Sequence, residues 1–345
     1  MNVHTAGDFD MVVARRGLAA PSAAAAIDPF SYAPARWHWF EYVRTALVAC
    51  WLAPLRISLI LLGVLSAAVV GTCATIGAAA DGPPSALQRT FLQPLRIFAR
   101  IVLWGAGFWT VSIERPHNRR GKAAGLRGAQ TPRIFVAAPH FSYLDPLVLM
   151  YAELPCQVSM QALRSWPLVG RVAAAMSTIF VERSDAVSRA EARRTIRERA
   201  TQPGWPAVLV FPEGTTTNGT ALIRFRSGAF EPGLPVQPVL LRYRRVLRRV
   251  ASSTRHSPPP LSPCTHCRRS PLVGACSRYP VDLNGAGPWG GLWPVFIAPL
   301  LWSNSVRLTY MEPYWPSEQE QRDPELFARN VRAAMAEALR VPVVG

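Results

Sequence analysis

Residues 57–80 read ISLILLGVLSAAVVGTCATIGAAA, 24 consecutive residues without a charge. About 20 such residues are enough to span the hydrocarbon core of a bilayer. Arg44 and Arg56 precede the run and Asp81-Gly-Pro-Pro closes it, which predicts a membrane-embedded helix or hairpin. The competing reading of such a run is a buried core helix. The residues before it carry acids, and the run starts too late for a secretion signal. A second apolar stretch, 91–113, is interrupted by Arg96 and Arg100 and holds Trp104 and Trp109. It is expected as an interfacial helix whose arginines reach back to the headgroups, or as a shallow second insertion.

Charge belongs to the same picture. A formal net charge of +17 on 345 residues raises the question of nucleic acid. Eight arginines and no acids fall between 244 and 279, however, and another basic cluster, 119–133, follows the apolar region. No basic stripe interleaved with aromatics appears, so membrane-proximal charge is the simpler account and no nucleic-acid partner is expected. The cysteines, at 50, 73, 156, 264, 267 and 276, show no framework spacing and point to a mostly reduced chain.

The chain divides by composition into an Ala- and Pro-rich N-terminus, 1–40, expected to be disordered, a membrane-anchoring helical region, 41–113, and a Gly/Arg-rich connector, 114–132. From 133 to 345 strand and helix signals alternate, which predicts an α/β domain with a mixed sheet flanked by helices. Strands are expected at 134–138, 178–182, 207–211, 236–241 and 306–310. Helices are expected at 146–152, 168–176, 186–200 and from Asp323-Pro324-Glu325 onward, where Phe327, Val331, Met335 and Leu339 recur every four residues. Residues 244–279 fit no period, and deleting them would leave a continuous VLLRYPVDLN, which marks them as a disordered, dispensable insertion. The alternative there is a small zinc knot from His256, Cys264, His266, Cys267 and Cys276, but one C-x2-C without a second pair is a weak metal signal. No metal site is expected.

The chemistry gathers at strand ends. In VAAPHFSYLDPLVLM, 136–150, Pro139 ends a buried strand and Asp145-Pro146 starts a helix with Asp145 as expected N-cap. His140 then lies in a strand-to-helix loop that can fold back on Asp145, and a carboxylate beside an imidazole makes the ring a competent base. Downstream, AVLVFPEGTTTNG, 207–219, ends a second strand in Phe211-Pro212-Glu213-Gly214-Thr215. Open α/β sheets bind ligands at that edge, and glycine there permits a phosphate or carbonyl to approach the backbone. Arg183, closing TIFVERSD, ends a third strand and suits a phosphate. Taken singly, each reads equally well as a helix cap, a turn or a surface ion pair. Ordered together, they read as a site.

In that order, His140-x4-Asp145, Phe180-Val-Glu-Arg183, Phe211-Pro-Glu-Gly-Thr215 and Pro235-Val-Gln-Pro238 resemble the four motifs of the glycerolipid acyltransferases. Glu213-Gly-Thr-Thr-Thr217-Asn218, followed by Phe225-Arg-Ser-Gly228-Ala-Phe230, is most similar to the branch acting on lysophosphatidylcholine or lysophosphatidylethanolamine. The phosphatidic-acid-forming branch usually shows FPEGTRS. A glycine usual in the second motif is replaced here by Ser177 or Thr178. The resemblance implies the glycerol-phosphate acyltransferase-like fold and acyl transfer from acyl-CoA to the free hydroxyl of a lysophospholipid. It implies His140 as base, Asp145 as its orienter, and Arg183, Phe211, Pro212, Glu213, Gly214 and Thr215 as acceptor-binding residues. It implies acyl-CoA as co-substrate with no bound cofactor, and the endoplasmic reticulum as the membrane; the site is expected to face the cytosol, where acyl-CoA is usually found. Acylation of lysophosphatidic acid or glycerol-3-phosphate, and a catalytically dead lipid-binding protein, are the two other readings. Intact His140, Asp145 and Glu213 argue against the latter.

Overall fold

The computed structural model describes residues 28–30, 39–76, 82–116, 131–244 and 298–345. The proposed insertion, the zinc alternative, most of the N-terminus and most of the connector therefore lie outside the described residues.

Seven strands form one sheet: β1 (Phe108–Glu114), β2 (Ile134–Ala138), β3 (Cys156–Met160), β4 (Ile179–Val181), β5 (Val208–Val210), β6 (Val236–Arg244) and β7 (Asn304–Tyr310). Their order is β1-β7-β6-β2-β5-β3-β4. From β6 through β2, β5 and β3 to β4 every pair is parallel, whereas β7 runs antiparallel to β6 and carries β1 parallel beside it. The sheet is mixed, as expected. Its central strand, β2, is buried at every position. Successive side chains alternate faces, so Ile134, Val136 and Ala138 enter one core while Phe135 and Ala137 enter the other. The first core is closed by α7 (Ala186–Thr201) and α9 (Pro324–Leu339) through Ile196, Phe327, Val331 and Met335. The second is closed by α5 (Asp145–Glu153) through Val148 and Leu149, together with Leu103 and Phe108. Asp185 and Asp323 cap α7 and α9, the latter directly after the short α8 (Glu318–Arg322), by accepting the first free backbone N–H groups.

The N-terminal region packs on this domain. Helix α1 (Trp39–Leu47) continues through a π-helical turn, Val48–Leu52, into α2 (Ala53–Thr75). The path Tyr42–Thr75, 34 residues, is the one helix among the described residues long and apolar enough to cross a membrane. It begins before and ends short of the expected 57–80, and 77–80 lie outside the described residues. Gly63, Ala67, Gly71 and Ala74 line one side of α2. That side meets α4 (Pro94–Gly105), which follows the short α3 (Ala86–Phe91), and α6 (Val169–Ala175). The approach is close: a Cβ on Gly63 would lie 2.6 Å from Val102 Cγ2, and one on Gly105 would lie 2.6 Å from the Arg56 carbonyl oxygen. The opposite side leaves Leu55, Leu62, Leu65 and Val69 exposed, which is the side available to lipid.

The stretch expected as one interfacial helix, 91–113, divides. The helix ends at Gly105, Gly107 turns with φ +80°, and Phe108–Glu114 joins the sheet as β1. Its arginines do not snorkel outward. Arg96 donates to the Ala152 carbonyl, and Arg100 to the carbonyls of Phe108 (2.8 Å) and Trp109 (2.7 Å). Free carbonyls at the end of α5 and the start of β1 compete successfully with solvent for these guanidinium groups. Arg56 is likewise turned inward and is 2% exposed. It donates to the carbonyls of Pro299 (2.8 Å), Leu301 (2.5 Å) and Trp302 (2.9 Å), just before β7.

Candidate active site

The carboxyl ends of β2, β4, β5 and β6 share one edge of the sheet, and the expected site residues come from there. After the cis Ala138-Pro139 bond, His140 stands where β2 gives way to α5. Its Nδ1 lies 2.7 Å from Asp145 Oδ2, and its ring stacks on Phe211 with centroids 4.1 Å apart and planes at 20°. The Nδ1 contact fixes Nδ1 as the protonated nitrogen and leaves Nε2 to accept a proton.

Asp145 is not the N-cap of α5. Leu144 holds that place, and Asp145 is the first helical residue. Its carboxylate turns back over the loop instead of forward along the helix. Oδ2 accepts from Phe141 N (2.6 Å) and Ser142 N (3.0 Å) as well as His140, and Oδ1 accepts from the Tyr243 hydroxyl. With Asp145 fully buried, each donor offsets part of the cost of removing a carboxylate from water. Proline at the next position lacks an N–H and so demands no cap of its own.

Glu213 works from beneath this loop. The sequence placed it in the acceptor pocket, but its side chain is buried and spent on two backbone groups: His140 N (2.6 Å) and Ile223 N (3.4 Å). Thr217 N donates to the His140 carbonyl at 2.7 Å, so both backbone polar groups of the histidine are tied to the segment after β5. Gly214 has φ +68°, and a Cβ there would lie 2.5 Å from Arg226 Nε, so the Arg226 side chain lies across it. Arg183 reaches the same turn, donating Nη1 to the Gly214 carbonyl at 2.6 Å. Pro212 is buried, while Thr215 is exposed on the rim. The structure therefore brings all eight expected residues to one edge. Thr217 and Arg226 stand in the motifs quoted from sequence but without a role in the site, and Tyr243 is not singled out there, although the alternation Val239-x-Leu241-x-Tyr243 already aims it into the second core. A cavity of about 180 Å³, lined by Arg89, Glu153, Ser177 and Trp205 among others, lies by the amino ends of β3, β4 and β5 and contains none of the eight expected site residues.

Burial pushes the Glu213 carboxyl up to about 7, against the opposing pull of its two backbone donors, and the nearby Asp145 charge adds to the rise. Between its ordinary 4.5 and about 7, the folded protein thus holds a proton that the unfolded chain has released. Stability from this group falls as pH rises through that window, by roughly 3 kcal/mol, and is flat above it. The slope of unfolding midpoint against pH in detergent should shrink in Glu213→Gln. An equal slope in both proteins would refute the assignment.

Residues 118–242 match the family described as Acyltransferase, and the chain carries a domain of that family. It is 36% identical over 266 residues to lysophosphatidylcholine acyltransferase 2 of Mus musculus, covering 76% of this chain and 41% of that protein. It is 35% identical to lysophospholipid acyltransferase LPCAT4 of Homo sapiens over 68% of this chain and 38% of that one. Lysophosphatidylcholine acyltransferase 1 of Homo sapiens is 32% identical over 88% of this chain and 50% of its own length. The chain thus spans half or less of the length of these relatives. Among solved structures, the 1-acyl-sn-glycerophosphate (LPA) acyltransferase PlsC from Thermotoga maritima superposes with a TM-score of 0.51 at 16% identity, covering 87% of this chain and 96% of that one. At that identity the likeness establishes the fold.

Proposed function

We propose that this protein transfers an acyl chain from acyl-CoA to the free hydroxyl of a lysophospholipid, with lysophosphatidylcholine or lysophosphatidylethanolamine as acceptor. The observation that carries the reading is the His140–Asp145 pair, with Nδ1 engaged at 2.7 Å and Nε2 left to take a proton. His140 Nε2 removes the proton from the acceptor hydroxyl as that oxygen attacks the thioester carbonyl. The tetrahedral adduct collapses, the C–S bond breaks, and the CoA thiolate leaves with the proton that the imidazolium returns. Asp145 supports the imidazolium in between. Direct attack needs no covalent enzyme intermediate and no bound metal or cofactor.

Arg183, on the rim above Gly214, suits the acceptor phosphate, and the turn Phe211–Thr215 shapes the acceptor side of the pocket. The names of the relatives, two of them lysophosphatidylcholine acyltransferases, support the acceptor class. The exposed side of α2 holds the site at the surface where both acylated substrates partition, and we place that membrane in the endoplasmic reticulum with the site toward the cytosol. The test presents washed membranes containing the protein with a panel of lysophospholipids and acyl-CoAs. Transfer to lysophosphatidylcholine or lysophosphatidylethanolamine above that to lysophosphatidic acid and glycerol-3-phosphate is expected. Preference for either phosphomonoester acceptor would replace the acceptor assignment.

A further inference from the structure

The Asp145 carboxylate has two oxygens with separate duties. Oδ2 faces the loop and His140; Oδ1 points the other way and accepts from the Tyr243 hydroxyl. Tyr243, the penultimate residue of β6, enters the second core and is 5% exposed. Its ring is clamped edge-on between Phe108 of β1 (5.7 Å) and Phe141 of the histidine loop (5.1 Å). A phenol held by two aromatic neighbours fixes its hydroxyl, and the hydroxyl in turn fixes the plane of the carboxylate.

From this geometry we infer that Tyr243 is a positioning residue for the acyl transfer proposed above, setting through Asp145 both the direction and the strength of the contact to His140. The inference rests on that reading only for its kinetic consequence; the geometry stands without it. A hydrogen bond donated to Oδ1 draws negative charge away from Oδ2. Removing the donor leaves Oδ2 holding the imidazolium more strongly and lets the carboxylate rotate. The base then keeps its proton to higher pH and presents Nε2 less uniformly. The titratable groups facing His140 are Asp145 across Nδ1, Glu213 beneath its backbone N–H, and Tyr243 behind Asp145; the stacked Phe211 and the adjacent Phe141 carry no charge.

Tyr243→Phe deletes the hydroxyl and keeps the ring between Phe108 and Phe141, so the variant is expected to fold. In it kcat should fall about tenfold, the size of one hydrogen bond to a charged group. KM for the lysophospholipid should stay within about twofold of wild type, because Tyr243 touches Asp145 and not the pocket. In an Asp145→Asn background the same change should cost kcat much less than it does in wild type, since the charge on which the hydroxyl acts is already gone. A purely structural tyrosine would give losses that add.

A second measurement needs no activity. Carbethoxylation of His140 by diethyl pyrocarbonate, followed by peptide mass spectrometry across pH, reports when the ring becomes neutral. Its midpoint should move to higher pH in Tyr243→Phe, and also in the same substitution made on Glu213→Gln, which removes the other nearby titration. If wild-type protein transfers no acyl group to any acceptor, the function is wrong, and an upward labelling shift still upholds the tyrosine. An unmoved labelling midpoint together with additive kinetic losses, or with no kinetic loss at all, overturns it.

Discussion

Replacing His140 by alanine should reduce acyl transfer by about 10² to 10⁴, the usual worth of a positioned general base. The ring is not a structural keystone. It stacks on Phe211 and bonds Asp145, but the loop is held through the histidine's backbone, by Glu213 Oε2 on its N–H and by Thr217 N on its carbonyl. Alanine preserves both. Membranes should therefore contain the variant at wild-type levels with the same unfolding midpoint to within a degree or two, while turnover of lysophospholipid collapses. Activity within tenfold of wild type in folded protein would remove His140 from the mechanism.

Asp145→Asn is the sharper experiment, because the positions of its neighbours determine how the amide must sit. Three donors, His140 Nδ1, Phe141 N and Ser142 N, converge on Oδ2. The asparagine oxygen must face them, which turns its NH₂ toward the Tyr243 hydroxyl, a group able to accept as well as donate. Geometry and tautomer survive; only the charge is lost. A hydrogen bond to a charged group exceeds its neutral counterpart by enough to predict a fall in kcat of roughly 10- to 100-fold, with little change in KM. A loss below threefold would show that the carboxylate merely shapes the loop. Alanine here would be uninformative, since it strands buried N–H and O–H donors and penalises the fold itself.

The parts of the fold legible in sequence are those where one physical signal dominates. IFVAA and AVLV are apolar throughout because β2 and β5 are covered on both faces, and the Asp-Pro-Glu start with its four-residue apolar repeat describes α9 as found. β1 was hidden because the apolar run of α4 abuts FWTVSIE, and hydropathy alone does not divide a helix from a strand that follows it. The break at Gly105–Gly107 was the available clue. The inward turn of Arg96 and Arg100 was not legible, since their acceptors are backbone carbonyls on other elements. At the site, spacing placed His140, Asp145, Glu213 and Gly214 together but not their orientations. Asp145 reads as helix cap and as orienter of His140, but its second partner, Tyr243, lies 98 residues away and is brought to it only by the fold, and Glu213 reads as a pocket wall until His140 N–H is seen to occupy it.

Arg56 sets an order of events during synthesis. Its carbonyl acceptors begin 243 residues further along the chain, at Pro299. The ribosome delivers the apolar helix first, with a guanidinium near its start and no acceptors yet made, and a charge so placed is costly in an apolar phase. The helix can seat fully only when the segment before β7 arrives, and that same segment delivers the strand that pairs with β6 opposite Tyr243. The inner side of the helix and the sheet beside Tyr243 are thus completed together by the segment that runs from Pro299 into β7. A truncated product ending before residue 298 would carry the histidine, the aspartate and the helix, and would still be a client for quality control.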